Sequence, residues 1–218
     1  MNGLRAAKKA RTRAAISEVA TSLFIARGFE NVTVAEVAAA ADVSVKTVFN
    51  YFATKEDLFF DRADEVLDGL LATIRARPEG TTITAAVHRL LADNFVPVPG
   101  VGWGALRDPG GYERFRAFQA AEDASPALRA RRMVIVSGWI DRLAAVLAEE
   151  AGLRDGDLRA RVFATLLMTT MGMRQRELSA VVRERRSAQT VERRVRALVG
   201  EALARVAAAF PDLDRAAA

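Results

Sequence analysis

Within the eight residues from Ser44 to Tyr51 the chain places a cation, an amide and three hydroxyls: Lys46, Asn50, Ser44, Thr47 and Tyr51. Wound as a helix at about 100° per residue, Lys46, Thr47, Asn50 and Tyr51 share one arc. Val48 and Phe52 lie opposite them, with Val45 and Phe49 flanking. Lysine suits guanine or phosphate, an asparagine amide pairs with adenine or bridges to phosphate, and hydroxyls bind phosphate oxygens. This is the non-covalent chemistry of groove recognition, and its partner would be double-stranded DNA. A second feature concerns charge. Residues 1–13 carry Arg5, Lys8, Lys9, Arg11 and Arg13 with no acidic residue, so their charge equals the net +5 of the whole chain. Nucleic acid or an anionic membrane face would match it, and charge alone does not choose between them.

Covalent chemistry is thinly supplied. The absence of cysteine removes disulfides, thiolate metal sites and cysteine nucleophiles, and fits a reducing cytoplasm. A single histidine, His88, leaves little for zinc sites or Ser/His/Asp triads. It follows Val87 and precedes Leu90 and Leu91, the setting of a structural histidine more than of a ligand contact. Gly100, Gly102 and Gly104 miss the dinucleotide fingerprint because Ala105 stands where the third glycine belongs. Asp155-Gly156-Asp157 is too short for a calcium loop, and Glu149 and Glu150 are helix neighbours that point apart. No catalytic residue, cofactor or metal is expected, and an enzyme reading starts behind.

The elements that must hold these residues are helices. Apolar content of 51% with 27% charged residues argues for a folded chain, and apolar residues recur at three and four almost throughout. A first helix is predicted over Arg11–Arg27, stopped by Gly28. Two short ones follow, Thr33–Ala41 opened by a Thr33/Glu36 capping box and Ser44–Phe52 capped by Ser44. Thr54 opens a long helix to about Arg77, ended by Pro78-Glu79-Gly80. Further helices are predicted over Thr82–Phe95, Tyr112–Ala121, Pro126–Ala151 with Ser125 as cap, Leu158–Arg185 and Thr190–Phe210. The fold expected is all-α, about nine helices. Residues 1–53 form a three-helix helix-turn-helix head and 54–218 an antiparallel helical bundle, joined by the helix over 54–77. The proline- and glycine-rich stretch from Val96 to Gly111 is either a lid or a plain connection. The twelve uncharged residues Val162–Met173 fall short of the roughly 20 that span a membrane, and the N-terminus lacks a signal-peptide pattern. A cytoplasmic protein is expected.

The stretch GFENVTVAEVAAAADVSVKTVFNYFATKEDLF resembles the DNA-binding domain of the TetR family of bacterial transcriptional regulators. The likeness covers roughly residues 11–60. It rests on Gly28-Phe29, Thr33-Val34, Val37-Ala38, Val43-Ser44, Thr47, Tyr51-Phe52 and Lys55-Glu56-Leu58 at the family's spacings. It implies phosphate contacts for Thr33, Thr47, Tyr51 and Lys55, with Lys55 as the anchor, and base reading from Ser44, Val45 and Lys46. Two positions depart from the pattern: Asp42 stands where the family usually has glycine in the turn, and Phe49 where many relatives carry tyrosine. The phenyl ring can still pack on a thymine methyl.

The resemblance further implies a small-molecule effector bound in the body, with candidates His88, Phe95, Trp103, Phe115, Phe118, Trp139 and Met171 drawn from its large side chains. Met133, Phe163, Met168 and Met173 belong to the same pool, and ordinary helix packing explains most such residues. It also implies a homodimer through 158–185 and 190–210. Apolar stripes there include Phe163, Leu166, Leu167, Met171, Val195, Leu198, Leu203, Val206 and Phe210. The function so implied is a dimeric repressor on a palindromic operator, without membrane contact. The alternative is a helical protein-interaction module without specific DNA binding.

Overall fold

The computed structural model describes residues 2–94, 103, 108–184 and 186–216. Ten α-helices stand among them: α1 (Asn2–Arg27), α2 (Val34–Ala40), α3 (Val45–Phe49), α4 (Lys55–Phe59), α5 (Ala63–Arg75), α6 (Ile83–Asp93), α7 (Pro109–Ala124), α8 (Pro126–Glu150), α9 (Leu158–Arg183) and α10 (Ala188–Ala209). The described residues form no strand, and Thr82 and Ala216 meet in an isolated bridge. No described helix is long and apolar enough to cross a membrane.

The chain forms two compact units, Met1–Arg62 with Ala117–Met133, and Ala63–Arg116 with Val134–Ala218. Helices α7 and α8 are therefore shared, each giving one part to either unit. The first unit closes around Ile16, Ala20 and Phe24 of α1, Val37 and Ala38 of α2, Val48, Phe52, Leu58 and Phe59, and takes Ala121 and Leu128 from α7 and α8. Its centre is aromatic. Phe24 meets Phe29 at 5.1 Å between ring centroids, Phe29 meets Phe59 edge-on at 5.7 Å, and Phe118 stacks on Phe59 at 4.4 Å. At the corner between α7 and α8 the Ser125 hydroxyl donates to Glu30 Oε1 at 2.5 Å and accepts from Leu128 N–H, the cap that the sequence signals.

The second unit buries Leu67, Leu70 and Ile74 of α5, Val87 and Leu91 of α6, Leu143 and Leu147 of α8, Phe163 and Leu167 of α9, and Val191, Val195 and Val199 of α10. His88 of α6 packs over Gly200 of α10, its Nε2 3.5 Å from where a Cβ at Gly200 would stand, an ordinary contact distance. Asp214 fastens the last described turn to the start of α6, accepting from Thr84 N–H at 2.7 Å and from its hydroxyl at 2.5 Å.

Three helix bounds differ from expectation for physical reasons. Helix α1 begins at Asn2 and not near Arg11. The described side chains of its added turns, residues 6–10, are exposed, and these turns stand on the high helix propensity of Ala6, Ala7, Lys8, Lys9 and Ala10. The helix predicted over 54–77 is two, α4 and α5. Phe60 closes α4 outside the helical region, at φ −95° and ψ 25°, and Asp61 in the link makes a tertiary ion pair with Arg13. Helix α7 starts at Pro109, with its missing N–H harmless at the first helical position, and Asp108 accepts from Gly111 N–H at 2.6 Å.

Candidate nucleic-acid interface

Helix α2 is set by its capping box. The Thr33 hydroxyl accepts from Glu36 N–H at 3.2 Å, and Thr33 N–H donates back to Glu36 Oε2 at 2.8 Å. The Thr33 hydroxyl proton also goes to Glu36 Oε2 at 2.8 Å, and Arg27 pairs with Glu36 Oε1 at 2.7 Å. The Thr33 amide, the Arg27 guanidinium and the Thr33 hydroxyl together hold the Glu36 carboxyl down at about 2. Thr33 is exposed, yet its hydroxyl is engaged as a cap.

The turn after α2 is a Schellman motif, with Val43 N–H donating to Ala38 O at 2.9 Å and Asp42 N–H to Ala39 O at 3.3 Å. Asp42 occupies the left-handed position at φ 53°, alone among described non-glycine residues. This is where glycine is normally favoured, and aspartate is among the few residues that tolerate it. Its carboxylate is exposed, and the cap of α3 is Ser44 instead, accepting from Thr47 N–H at 3.0 Å. The Ser44 and Thr47 hydroxyls share a further bond at 2.8 Å.

Helix α3 presents two faces. Val48 and the following Phe52 are 1% and 2% exposed and lock it into the first unit. Lys46 and Asn50 are exposed, and Val45 and Phe49 stand out at 40% and 50%, apolar side chains that the chain leaves uncovered. Thr47 and Tyr51 are half-buried at the edges. Past Phe49 the helical bonding persists, Asn50 N–H to Lys46 O at 3.0 Å and Phe52 N–H to Val48 O at 3.0 Å. The structure thus brings Ser44, Val45, Lys46, Thr47, Phe49, Asn50 and Tyr51 onto one short element.

Two basic residues have protein partners that the sequence does not indicate. The half-buried Lys55 ammonium donates to Phe29 O at 2.8 Å and Val32 O at 2.9 Å and lies 4.0 Å over the Phe29 ring. It ties the α1–α2 turn to the start of α4. Arg13 is not a free member of the basic arm. It donates to Tyr51 O at 3.1 Å, pairs with Asp61 and covers the Phe52 ring at 4.6 Å, pinning the end of α3 to α1. Sequence reasoning missed this, and the only signal was an arginine at the start of the buried stripe.

The ligand candidates divide between the units. Phe118 stacks in the first unit. Phe115, Trp139 and Met171 pack, half-buried, against the core of the second, and His88 lies against Gly200. Trp103 is 5% exposed, its indole N–H bonded to Ala92 O at 2.7 Å, with the Arg174 guanidinium 5.8 Å over its ring. Arg174 is itself buried, donates to Leu91 O and Asn94 O at 2.9 and 2.6 Å, and is pushed down to about 10 by that burial. Phe95 lies outside the described residues, as does most of the Val96–Gly111 stretch.

The apolar residues expected at a dimer face are mainly internal. Phe163, Leu167 and Val195 are fully buried, Leu203 and Val206 nearly so, and Leu166, Met171, Leu198 and Phe210 pack against the same core. What α9 leaves outside is another stripe at three- and four-residue spacing: Leu158, Val162, Thr165, Thr169 and Met173. Leu158 is 72% exposed, Val162 40% and Met173 37%. No cluster of potential metal ligands occurs among the described residues.

Residues 16–61 match the family described as bacterial regulatory proteins, tetR family. The HTH-type transcriptional regulator TcmR of Streptomyces glaucescens is 37% identical over 78 residues, which is 36% of this chain and 34% of TcmR. The protein described as a mycofactocin biosynthesis transcriptional regulator, MftR, of Mycobacterium tuberculosis is 29% identical over 156 residues, 70% of this chain and 72% of that one. The chain thus matches about a third of the length of TcmR and more of MftR. A crystal structure described as a tetR-family transcriptional regulator from Mesorhizobium loti shares the fold, with a TM-score of 0.52 at 24% identity over 90% of this chain and 96% of that chain.

Proposed function

We propose, from the premise that this chain is a tetR-family transcriptional regulator with a DNA-binding helix-turn-helix, that it acts inside the cell as a dimeric repressor released from a palindromic operator by a small molecule. The observation that carries the reading is the two-faced α3: Val48 and Phe52 are buried while Lys46, Asn50, Val45 and Phe49 face outward. A helix fixed by one face and offering a cation, an amide and two apolar contacts on the other is equipped to read base edges in a major groove. Lys46 takes guanine or phosphate, Asn50 adenine or phosphate, and Val45 and Phe49 thymine methyls. Thr47 and Tyr51 touch phosphates from the edges, and Ser44 sets the approach.

One helix this short reads few base pairs, so a two-fold pair reading related half-sites about a helical turn apart is needed. The exposed α9 stripe from Leu158 to Met173 supports pairing through residues 158–185 together with 190–210. The body from residue 54 onward receives the effector, with Trp103, Phe115, Trp139, Met171 and His88 as the first residues to vary. Release follows if the effector favours a spacing of the two heads that no longer fits successive grooves. The similar proteins named above are regulators, and no catalytic activity is assigned to this chain.

The test is selection of binding sites from random duplexes at two salt concentrations, with Lys46→Ala and Asn50→Ala as controls. The expected outcome is a palindromic motif, weakened by salt, with each control binding about 10- to 100-fold more weakly, the loss of about 1–3 kcal/mol typical of a base contact. Salt-sensitive binding without a motif, indifferent to both substitutions, would replace this reading with that of an interaction module.

A further inference from the structure

Helix α1 starts at Asn2, and among its described side chains, from Ala6 onward, the first buried one is Ile16, so about three turns from residue 6 to residue 15 extend past the core. On the described part of that extension Lys8, Lys9 and Arg11 are exposed. None of the three takes part in an ion pair among the described residues, in contrast to Arg13, which pairs with Asp61. Lys8, Arg11, Thr12 and Ala15, at helical spacing of three and four, line one side of a groove of about 510 Å³, and Ala41 and Val43 of the α2–α3 turn line the other. No carboxylate is among its described walls. Val43 immediately precedes Ser44, the cap of α3, so these cations stand on the same compact unit as α3 and beside its N-terminal end. Cations at positions 8 and 11 of a helix repel one another. An anion lying along that wall removes the repulsion.

We propose that this extension is a second DNA-contacting surface, in which Lys8 and Arg11, with Lys9 beside them, hold phosphates of the duplex flanking the bases read by α3. The proposal rests on the reading of α3 given above. It extends each half-site without adding sequence information, since phosphate contacts position a protein and base contacts specify it. An anionic membrane is the other macromolecule that matches the charge. From residue 5 to residue 15 the sequence holds alanines, charged residues and Thr12 with no large apolar side chain, whereas a helix lying in a bilayer interface needs a bulky apolar face. Duplex DNA is the partner that fits.

The full chain, the Lys8→Gln/Arg11→Gln variant and the charge-keeping Lys8→Arg/Arg11→Lys variant are titrated with the selected operator between about 50 and 200 mM salt. The operator carries either flanks of about ten base pairs, one helical turn, or none. The glutamine variant is expected to select the same motif. Its salt slope falls by about 0.9 for each phosphate that the variant no longer holds, near two phosphates per head. Trimming the flanks weakens the wild type and the charge-keeping variant at least tenfold but leaves the glutamine variant unchanged. A glutamine variant with the wild-type slope and flank dependence, while Lys46→Ala still destroys the motif, refutes the second surface and leaves the operator reading standing. A wild type that selects no motif refutes both. Binding to phosphatidylserine vesicles that needs Lys8 and Arg11, with no effect of flanks, assigns the extension to membranes and overturns the proposal.

Discussion

The Lys55 ammonium has three N–H groups, and two of them donate to Phe29 O and Val32 O. Removing it takes that donor from Val32 O and leaves Phe29 O with only the long bond from Val32 N–H at 3.4 Å. Lys55→Ala is therefore expected to lower the stability of the protein by about 1.5–3 kcal/mol, the range for bonds to a charged donor, as read by urea unfolding. The salt slope of operator binding by the folded protein stays unchanged. A slope reduced by about 0.9 at unchanged stability would make Lys55 a phosphate ligand instead. Residue types around the interface were legible from sequence because periodicity alone places Val48 and Phe52 inward and Lys46 and Asn50 outward. Direction was not legible for Lys55 or Arg13, since their partners lie 23 to 48 residues away in sequence: Phe29 and Val32 for one, Tyr51 and Asp61 for the other. Local spacing carries no information about contacts of that range.

At the scale of an element, the start of α2 carries a pH dependence whose sign follows from Glu36. Its folded carboxyl lies at about 2, below the ordinary 4.5, so the ionised form is favoured by folding. The stabilisation is fully present above about pH 4.5 and fades as pH falls towards 2. Urea unfolding across this window, on the wild type and Glu36→Gln, should give a stability difference that is constant near neutrality and shrinks to nothing at the acid end. A difference that does not change with pH would show that the capping geometry, and not the charge, does the stabilising. Helix starts were the most legible part of the fold, since Thr33 with Glu36, Ser44, Thr54 with Asp57 and Ser125 all cap as their spacing indicates. The extension of α1 was missed because the apolar stripe begins only at Ile16. The break between α4 and α5 was missed because no glycine or proline marks it, and the partner of Asp61 in the link, Arg13, lies far away in sequence.

At the scale of the whole molecule, the exposed stripe on α9 sets the test of pairing. Val162→Arg/Thr169→Arg places two cations per subunit in the proposed contact, and the doubled charge is expected to give a monomer by sedimentation and to lose the cooperative, palindromic mode of binding. A double variant that remains dimeric would move the interface elsewhere. The all-helical class was readable from periodicity, but the membership of residues 117–133 in the first unit was not. Ala121, Leu128 and Phe118 complete a core whose other members lie at least 58 residues earlier, and nothing in their local pattern distinguishes them from a body helix. The distribution of aromatic side chains has an optical consequence. Both tryptophans, Trp103 and Trp139, belong to the second unit, and the first holds only Tyr51 near the reading helix. Indole emission, excited at the red edge where tyrosine is dark, originates in the second unit alone, and the buried Trp103 with its bonded N–H should emit in the blue. A fluorescence melt thus tracks the body, and early loss of the head would pass unseen unless circular dichroism is recorded beside it.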